Sequence, residues 1–263
     1  MTNFSLNHII FQRKKIEYYI YGKGNTEILL LQGWSLPPEI WFKSLKFISP
    51  EIVKAVAISL NKFELGNDCS LHSFSTLLGQ FLEKIDFNPH VIVGHSMGVS
   101  IMLNSINESL LHPKGIIIVD SGLSSSYRNE ELIDEIKKNK LSRELYKSIL
   151  NSFFLNIEET ELDLMLSKMI QSKRETLLCH LAAISDFDFK SSVARLNIPG
   201  LILFGKYDRN RRYEEALEFN RTMKNSQLKI FENSAHCPMY EEPENFAIAV
   251  RLFLEQILFS SPS

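Results

Sequence analysis

The sequence predicts an α/β fold: a mostly parallel central sheet flanked by helices, with a helical cap inserted part-way. Three observations carry this. Apolar runs of strand length, Glu27–Gln32, Lys54–Leu60, His90–Val93 and Lys114–Val119, alternate with stretches of helical periodicity. The runs are nearly continuous rather than alternating, which suits strands buried on both faces of a parallel sheet. From Ser121 to about Val193 no strand-like run occurs, and strand–helix alternation then resumes.

The elements follow in order. His8–Gln12 and Ile16–Tyr21 read as an antiparallel pair across the polar turn Arg13-Lys14-Lys15. Glu27–Gln32 and Lys54–Leu60 are strands, with a short helix between them over Trp41–Phe47. Apolar residues at 74, 77, 78, 81, 82 and 85 predict a helix over Leu71–Ile85. His90–Val93 is a strand, Met97–Leu110 a helix and Lys114–Val119 a strand. Within the interruption, Leu132–Lys140, Ser142–Phe154, Glu161–Gln171 and Glu175–Ile184 read as amphipathic helices. Gly200–Phe204, Tyr213–Met223, Gln227–Phe231 and Pro243–Leu258 then repeat strand, helix, strand, helix. Right-handed crossovers make such repetition a parallel sheet. The expected organisation is a core of residues 1–120 and 194–263 with a helical cap at 121–193.

Composition narrows the function. Of 263 residues, 44% are hydrophobic and 23% charged, which excludes a disordered or fibrous chain. Basic residues number 29 and acidic residues 31, so no global positive field exists to hold nucleic acid. No run approaches the ~20 apolar residues of a membrane-spanning helix. Cys69, Cys179 and Cys237 are scattered, with no paired metal spacing and no disulfide framework. With no leader-like start, this reads as a cytoplasmic protein. No metal or organic cofactor and no membrane partner is expected, and oligomeric state is not legible.

Gly94-His95-Ser96-Met97-Gly98 is the most informative segment. It matches G-x-S-x-G between an apolar strand and a helix, the setting of a nucleophile elbow. The tight turn strains the serine backbone and lifts its hydroxyl above the sheet, so Ser96 is the expected nucleophile. A serine needs a base, and the base an orienting acid. His236 follows the strand Gln227–Phe231, and Asp208 follows Gly200–Phe204. All three lie beyond carboxyl ends of strands, where open α/β sheets bind ligands. Asp120, which also ends a strand, is the rival acid; His95 merely flanks the nucleophile. The oxyanion-hole donors are expected to be the backbone N–H groups of Met97 and of Trp34, whose side chain should wall the acyl pocket. Leu145, Phe153, Phe154, Leu162 and Met169 are candidates for core or pocket in the cap, most of them as ordinary packing. Arg209, Arg211 and Arg212 read as a solvated surface loop; the alternative, since they lie on the active-site side, is that they attract an anionic substrate or acidic carrier.

On Leu29–Trp34, Val91–Gly98, Leu203–Asp208, Ser234–Pro238 and Glu242–Phe246, the chain resembles the α/β-hydrolase-fold serine hydrolases over nearly its whole length. Gly33–Leu36 with Glu39–Trp41 is similar to the pimeloyl-acyl-carrier-protein methyl ester esterases. The resemblance implies hydrolysis of a small acyl ester, including esters held on an acyl carrier. Thioester or C–C hydrolysis, lyase chemistry and ligand sensing share the fold and stay open. Two departures stand out. Gln32 replaces the usual histidine before Gly33, and its amide is expected to brace the oxyanion loop. Ser59–Gly66 replaces the usual Pro/Gly-rich loop after the fourth strand.

Overall fold

A computed structural model describes residues 3–125, 130–138 and 142–259. Along the chain run β1 (Phe4–Phe11), β2 (Lys14–Tyr21), β3 (Thr26–Leu31), α1 (Phe42–Leu45), β4 (Val53–Ile58), α2 (Leu71–Lys84), β5 (Val91–His95), α3 (Met97–Asn107) and β6 (Gly115–Val119). Then come β7 (Ser124–Ser125), α4 (Glu130–Lys137), α5 (Arg143–Phe153), α6 (Glu159–Met169), α7 (Arg174–Ala183), β8 (Phe187–Asp188) and α8 (Lys190–Val193). The chain closes with β9 (Gly200–Gly205), α9 (Tyr213–Thr222), β10 (Ser226–Phe231), α10 (Pro238–Glu241) and α11 (Pro243–Phe259).

Eight strands form one sheet in the order β1-β2-β4-β3-β5-β6-β9-β10. The β1–β2 and β2–β4 pairs are antiparallel; every other pair is parallel. The β1–β2 turn is tight because Gln12 and Arg13 both take positive φ, 50° and 62°, which matches the twist of the flanking strands. Every residue of β5, β6 and β9 is buried, as continuous apolar runs require. The order places β5 at the centre, so its end opens mid-sheet where neighbouring strand ends can surround it.

Between β6 and β9, the four amphipathic helices α4–α7 lie close to the expected spans. The last two residues expected for the first of them, 139 and 140, lie outside the described residues. Helix α5 begins at a serine N-cap, Ser142 Oγ accepting the Leu145 N–H at 3.1 Å. Two corrections belong here. The segment is not free of strand: β7 and β8 pair antiparallel at its base. Two-residue strands carry no periodicity, so no pattern announces them. The cysteines are not all unpaired either. Cys69, just before α2, is disulfide-bonded to Cys179 in α7 across 110 residues of chain, a separation at which no spacing motif exists. The case for a reducing compartment therefore loses its cysteine argument. Cys237 stays a buried free thiol. Among the described residues no helix is long and apolar enough to cross a membrane.

Candidate active site

The site is built on the end of β5. Ser96 follows it with φ 50° and ψ −115°, a conformation a non-glycine residue holds only under strain. Close packing explains the flanking glycines. A Cβ on Gly94 would meet the Val99 backbone at 2.8 Å, and one on Gly98 the Leu31 carbonyl at 2.1 Å. Ser96 is thereby raised to the start of α3, where the Met97 N–H has no intrahelical acceptor.

Asp208 and His236 meet. His236 Nδ1 lies 2.7 Å from Asp208 Oδ2, both side chains being almost wholly buried. The other carboxylate oxygen, Oδ1, accepts the backbone N–H groups of Asn210 (2.7 Å) and Arg211 (3.2 Å). Burial works against the Asp208 charge, but the His236 ring and these amides outweigh it, and its carboxyl sits below the ordinary range. The rival Asp120 does not touch the imidazole by hydrogen bond. Its Oδ1 accepts the Gly205 N–H at 2.9 Å, and its Oδ2 is buried with no hydrogen-bond partner among the described residues. Burial, then the neighbouring Asp208 charge, pushes its carboxyl well above the usual range.

Asp120, Asp208 and His236 offer ligand atoms within 4.8 Å of one another and form the one metal-compatible group among the described residues. His236 Nδ1 and Asp208 Oδ2 already share a hydrogen bond, and Asp120 accepts the Gly205 amide on Oδ1.

Ser96 and His236 line a common cavity of about 550 Å³, of the size that takes a small ligand. Its apolar wall is Leu132, Ile133, Phe153, Leu181 and Ile184; its polar rim includes Asn210, Arg211, Arg212 and Glu215. Of the five cap residues offered for core or pocket, Phe153 lines it, its ring centroid 5.2 Å from that of His236. Phe154, Leu162 and Met169 are instead buried in the apolar core, and Leu145 is half-buried away from the cavity lining. Arg211 and Arg212 reach the rim; Arg209 does not.

Two expectations about the oxyanion loop need correction. The Trp34 side chain does not line the cavity: its indole N–H donates to the Leu177 carbonyl of α7 at 3.2 Å. The Gln32 amide braces nothing, both its polar atoms being buried without a hydrogen bond among the described residues. Other side chains do that work. Asn61, in the segment that departs from the usual loop, donates to the Ser35 and Leu36 carbonyls at 3.0 and 3.3 Å. His95 accepts the Gly33 N–H on Nδ1 at 3.2 Å. A histidine beside the nucleophile carried no sequence signal for this, because its partners are 62 and 141 residues away.

Residues 28–250 match the model of the alpha/beta hydrolase family. The chain belongs to that family. The pimeloyl-[acyl-carrier protein] methyl ester esterase of Yersinia pseudotuberculosis serotype O:1b is 21% identical over 92% of this chain and 98% of its own length. A local match to the proline iminopeptidase of Saccharolobus solfataricus reaches 32% identity, but spans only 29% of this chain and 24% of that protein. Among solved structures, a bromoperoxidase from Bacillus anthracis superposes with a TM-score of 0.83 at 18% identity, covering 95% of this chain and 100% of the other. That last likeness concerns the fold. The chain is thus an α/β-fold hydrolase with esterase-like relatives.

Proposed function

We propose that this hydrolase is a serine carboxylic ester hydrolase working through Ser96, His236 and Asp208 on a small acyl ester. One observation carries the reading: an imidazole held by a buried carboxylate at 2.7 Å lines the same cavity as a serine on a strained elbow. Ser96 Oγ attacks the ester carbonyl carbon while His236 Nε2 takes its proton. Asp208, accepting from Nδ1, keeps the ring in the tautomer that leaves Nε2 free to do so and stabilises the imidazolium that forms. The negative oxygen of the tetrahedral intermediate accepts the Met97 and Trp34 backbone N–H groups. Collapse breaks the ester C–O bond, and His236 returns its proton to the departing alcohol. Water then repeats the cycle on the acyl-enzyme and releases the acid. Every step uses this chain's own groups and water.

The helical segment 121–193 acts as a cap. Its apolar wall of Leu132, Ile133, Phe153, Leu181 and Ile184 takes an aliphatic acyl chain, and the arginine rim faces the more polar end. An acyl-carrier-bound methyl ester fits this division, and a full-length relative bears that activity in its name. The test is Ser96→Ala in a p-nitrophenyl ester assay with fluorophosphonate labelling. A loss of ~10³-fold or more in kcat, with labelling abolished and melting unchanged, supports the reading. Near-normal turnover in the variant ends it.

A further inference from the structure

We infer that His95 is a positioning residue that locks the oxyanion loop and the general-base loop into one frame. The inference rests on the serine-hydrolase reading above. It concerns a residue with no part in proton transfer to substrate.

His95 is fully buried and uses each ring nitrogen once. Nδ1 accepts the Gly33 N–H at 3.2 Å, and Nε2 lies 2.8 Å from the His236 carbonyl. Only one arrangement satisfies both partners: a lone pair on Nδ1 and the proton on Nε2, donated to His236. The ring is therefore neutral. A second proton would face the Gly33 N–H donor to donor. Burial, and then the His236 charge, also hold the ring far below its ordinary basicity. The two backbone groups it joins belong to the two moving parts of the chemistry. Gly33 precedes Trp34, the donor to the oxyanion, and His236 carries the base. One rigid five-membered ring thus sets the distance between them.

The surroundings are shaped to this ring. A Cβ on Gly33 would lie 2.8 Å from His95 Nδ1 and 3.2 Å from the Ser96 Cβ, so only glycine lets the loop come that close. The His95 and His236 rings pack with centroids 4.7 Å apart, and the Trp41 indole meets His95 edge-on at 6.4 Å. The Gly33 N–H is spent on His95, which leaves the next amide, that of Trp34, to face the substrate. Gln32, whose own amide is unpartnered, cannot take over the brace.

The experiment uses the full chain with His95→Asn, His95→Gln and His95→Phe, assayed beside Ser96→Ala. Asparagine keeps an acceptor near the Nδ1 position, glutamine can keep a donor toward the His236 carbonyl, and phenylalanine keeps neither. Expected is a ~10²-fold fall in kcat for phenylalanine, the scale of losing one oxyanion donor. KM should stay within about threefold, the amide variants should fall between, and the acid limb of the pH profile should not move, because His95 does not titrate there. A kcat within about threefold of wild type in all folded His95 variants, with Ser96→Ala inactive, overturns the brace and leaves the nucleophile standing. Activity that tracks melting temperature, regardless of which bond is kept, likewise overturns it. Turnover surviving in Ser96→Ala overturns the serine-hydrolase reading and the brace with it.

Discussion

The strands beneath the site and the helices above it share one apolar core, but the helices add a set of polar and covalent ties that the strands lack. Below, β3, β5, β6 and β9 are sandwiched in apolar packing, with side chains such as Leu29, Leu31, Val91, Ile118 and Leu203 almost wholly removed from water. Removing apolar area from water at ~25 cal/mol per Å² makes that layer the stable one. Above, α4–α7 join the same apolar cluster through residues such as Leu150, Leu162, Met169 and Leu177, and discrete polar ties are added to that packing. Trp34 donates to Leu177, and His180 in α7 bonds the Phe63 carbonyl at 3.0 Å. The His236 N–H donates to the Phe153 carbonyl at 3.0 Å, and Glu241 accepts the Leu155 N–H. Lys43–Glu161, Lys168–Glu39 and Lys173–Glu64 pairs lie around the edge, where exposure leaves each worth little. The Cys69–Cys179 disulfide is the one covalent tie. The sheet, as floor, carries Ser96, Asp208 and His236 at its strand ends, and the helical layer, a roof packed on it and tied to it, shapes the space above them. The two can be perturbed separately.

The largest effect belongs to the floor. Asp208→Asn is expected to lower kcat by ~10³–10⁴-fold, because an amide cannot hold the working tautomer of His236 or stabilise its cation. Asp120→Asn should cost less than about tenfold, since Asp120 makes no hydrogen bond to the imidazole and asparagine keeps an acceptor for the Gly205 N–H. Steady-state kinetics on both variants decides the matter: a crippled Asp120→Asn beside an active Asp208→Asn would move the acid to β6.

How much of this was readable in advance also divides between floor and roof. The elbow, the buried strands and the acid and histidine after them follow local rules: apolar runs, glycines at a tight turn, polar residues at strand ends. What stayed hidden depends on contacts between distant parts of the chain. His95 joins Gly33 to His236, Cys69 finds Cys179, and Asn61 reaches Ser35. No periodicity encodes such pairs. Gln32 shows the converse, a residue assigned a brace by analogy whose partners did not come within reach. Which cap residues pack in the core and which line the cavity was not legible for a related reason. An amphipathic helix shows which face is apolar, yet not whether that face meets the core, as Leu162 and Met169 do, or a cavity, as Leu181 and Ile184 do.

Breaking the covalent tie tests the roof. Cys69→Ser with Cys179→Ser is expected to cost about 2–4 kcal/mol, by releasing a long closed loop in the unfolded chain. Because Leu181 and Ile184 close to Cys179 line the cavity, KM for longer acyl esters should rise while kcat on short esters holds. Denaturant unfolding and an acyl-chain series measure the two. Unchanged stability would show that the apolar packing and the polar ties suffice.

Acid should loosen the roof as well. Burial lowers the His180 ring from 6.5 to about 4, so the unfolded chain binds its proton at a higher pH than the folded one. Stability then falls as pH drops from about 6.5 toward 4, by about 2 kcal/mol between pH 7 and pH 5 from this group. His180→Gln keeps a donor for the Phe63 carbonyl but removes the titration. Urea unfolding at the two pH values should show the wild-type loss reduced by about that amount; an equal loss in the variant would mean His180 does not carry it.

The smallest expected effect lies where floor and roof meet, at the arginine rim. Arg211 reaches Glu215 at 3.4 Å and is largely offset by it. Among the described residues lining the cavity, the charged ones are Arg211, Arg212 and Glu215, so Arg212 supplies the net positive charge. Arg212 is exposed, and an exposed charge acts mainly on approach and is screened by salt. Arg212→Gln should therefore raise KM for an ester bearing a distal carboxylate about two- to threefold at low ionic strength. The difference should vanish near 0.5 M salt, where the screening length shortens to a few ångströms. Turnover of the uncharged ester of matched length should be unaffected throughout, since Arg212 touches no reacting atom. Equal shifts for charged and uncharged esters, or a shift that salt does not remove, would make Arg212 a shape-determining part of the rim rather than its source of field.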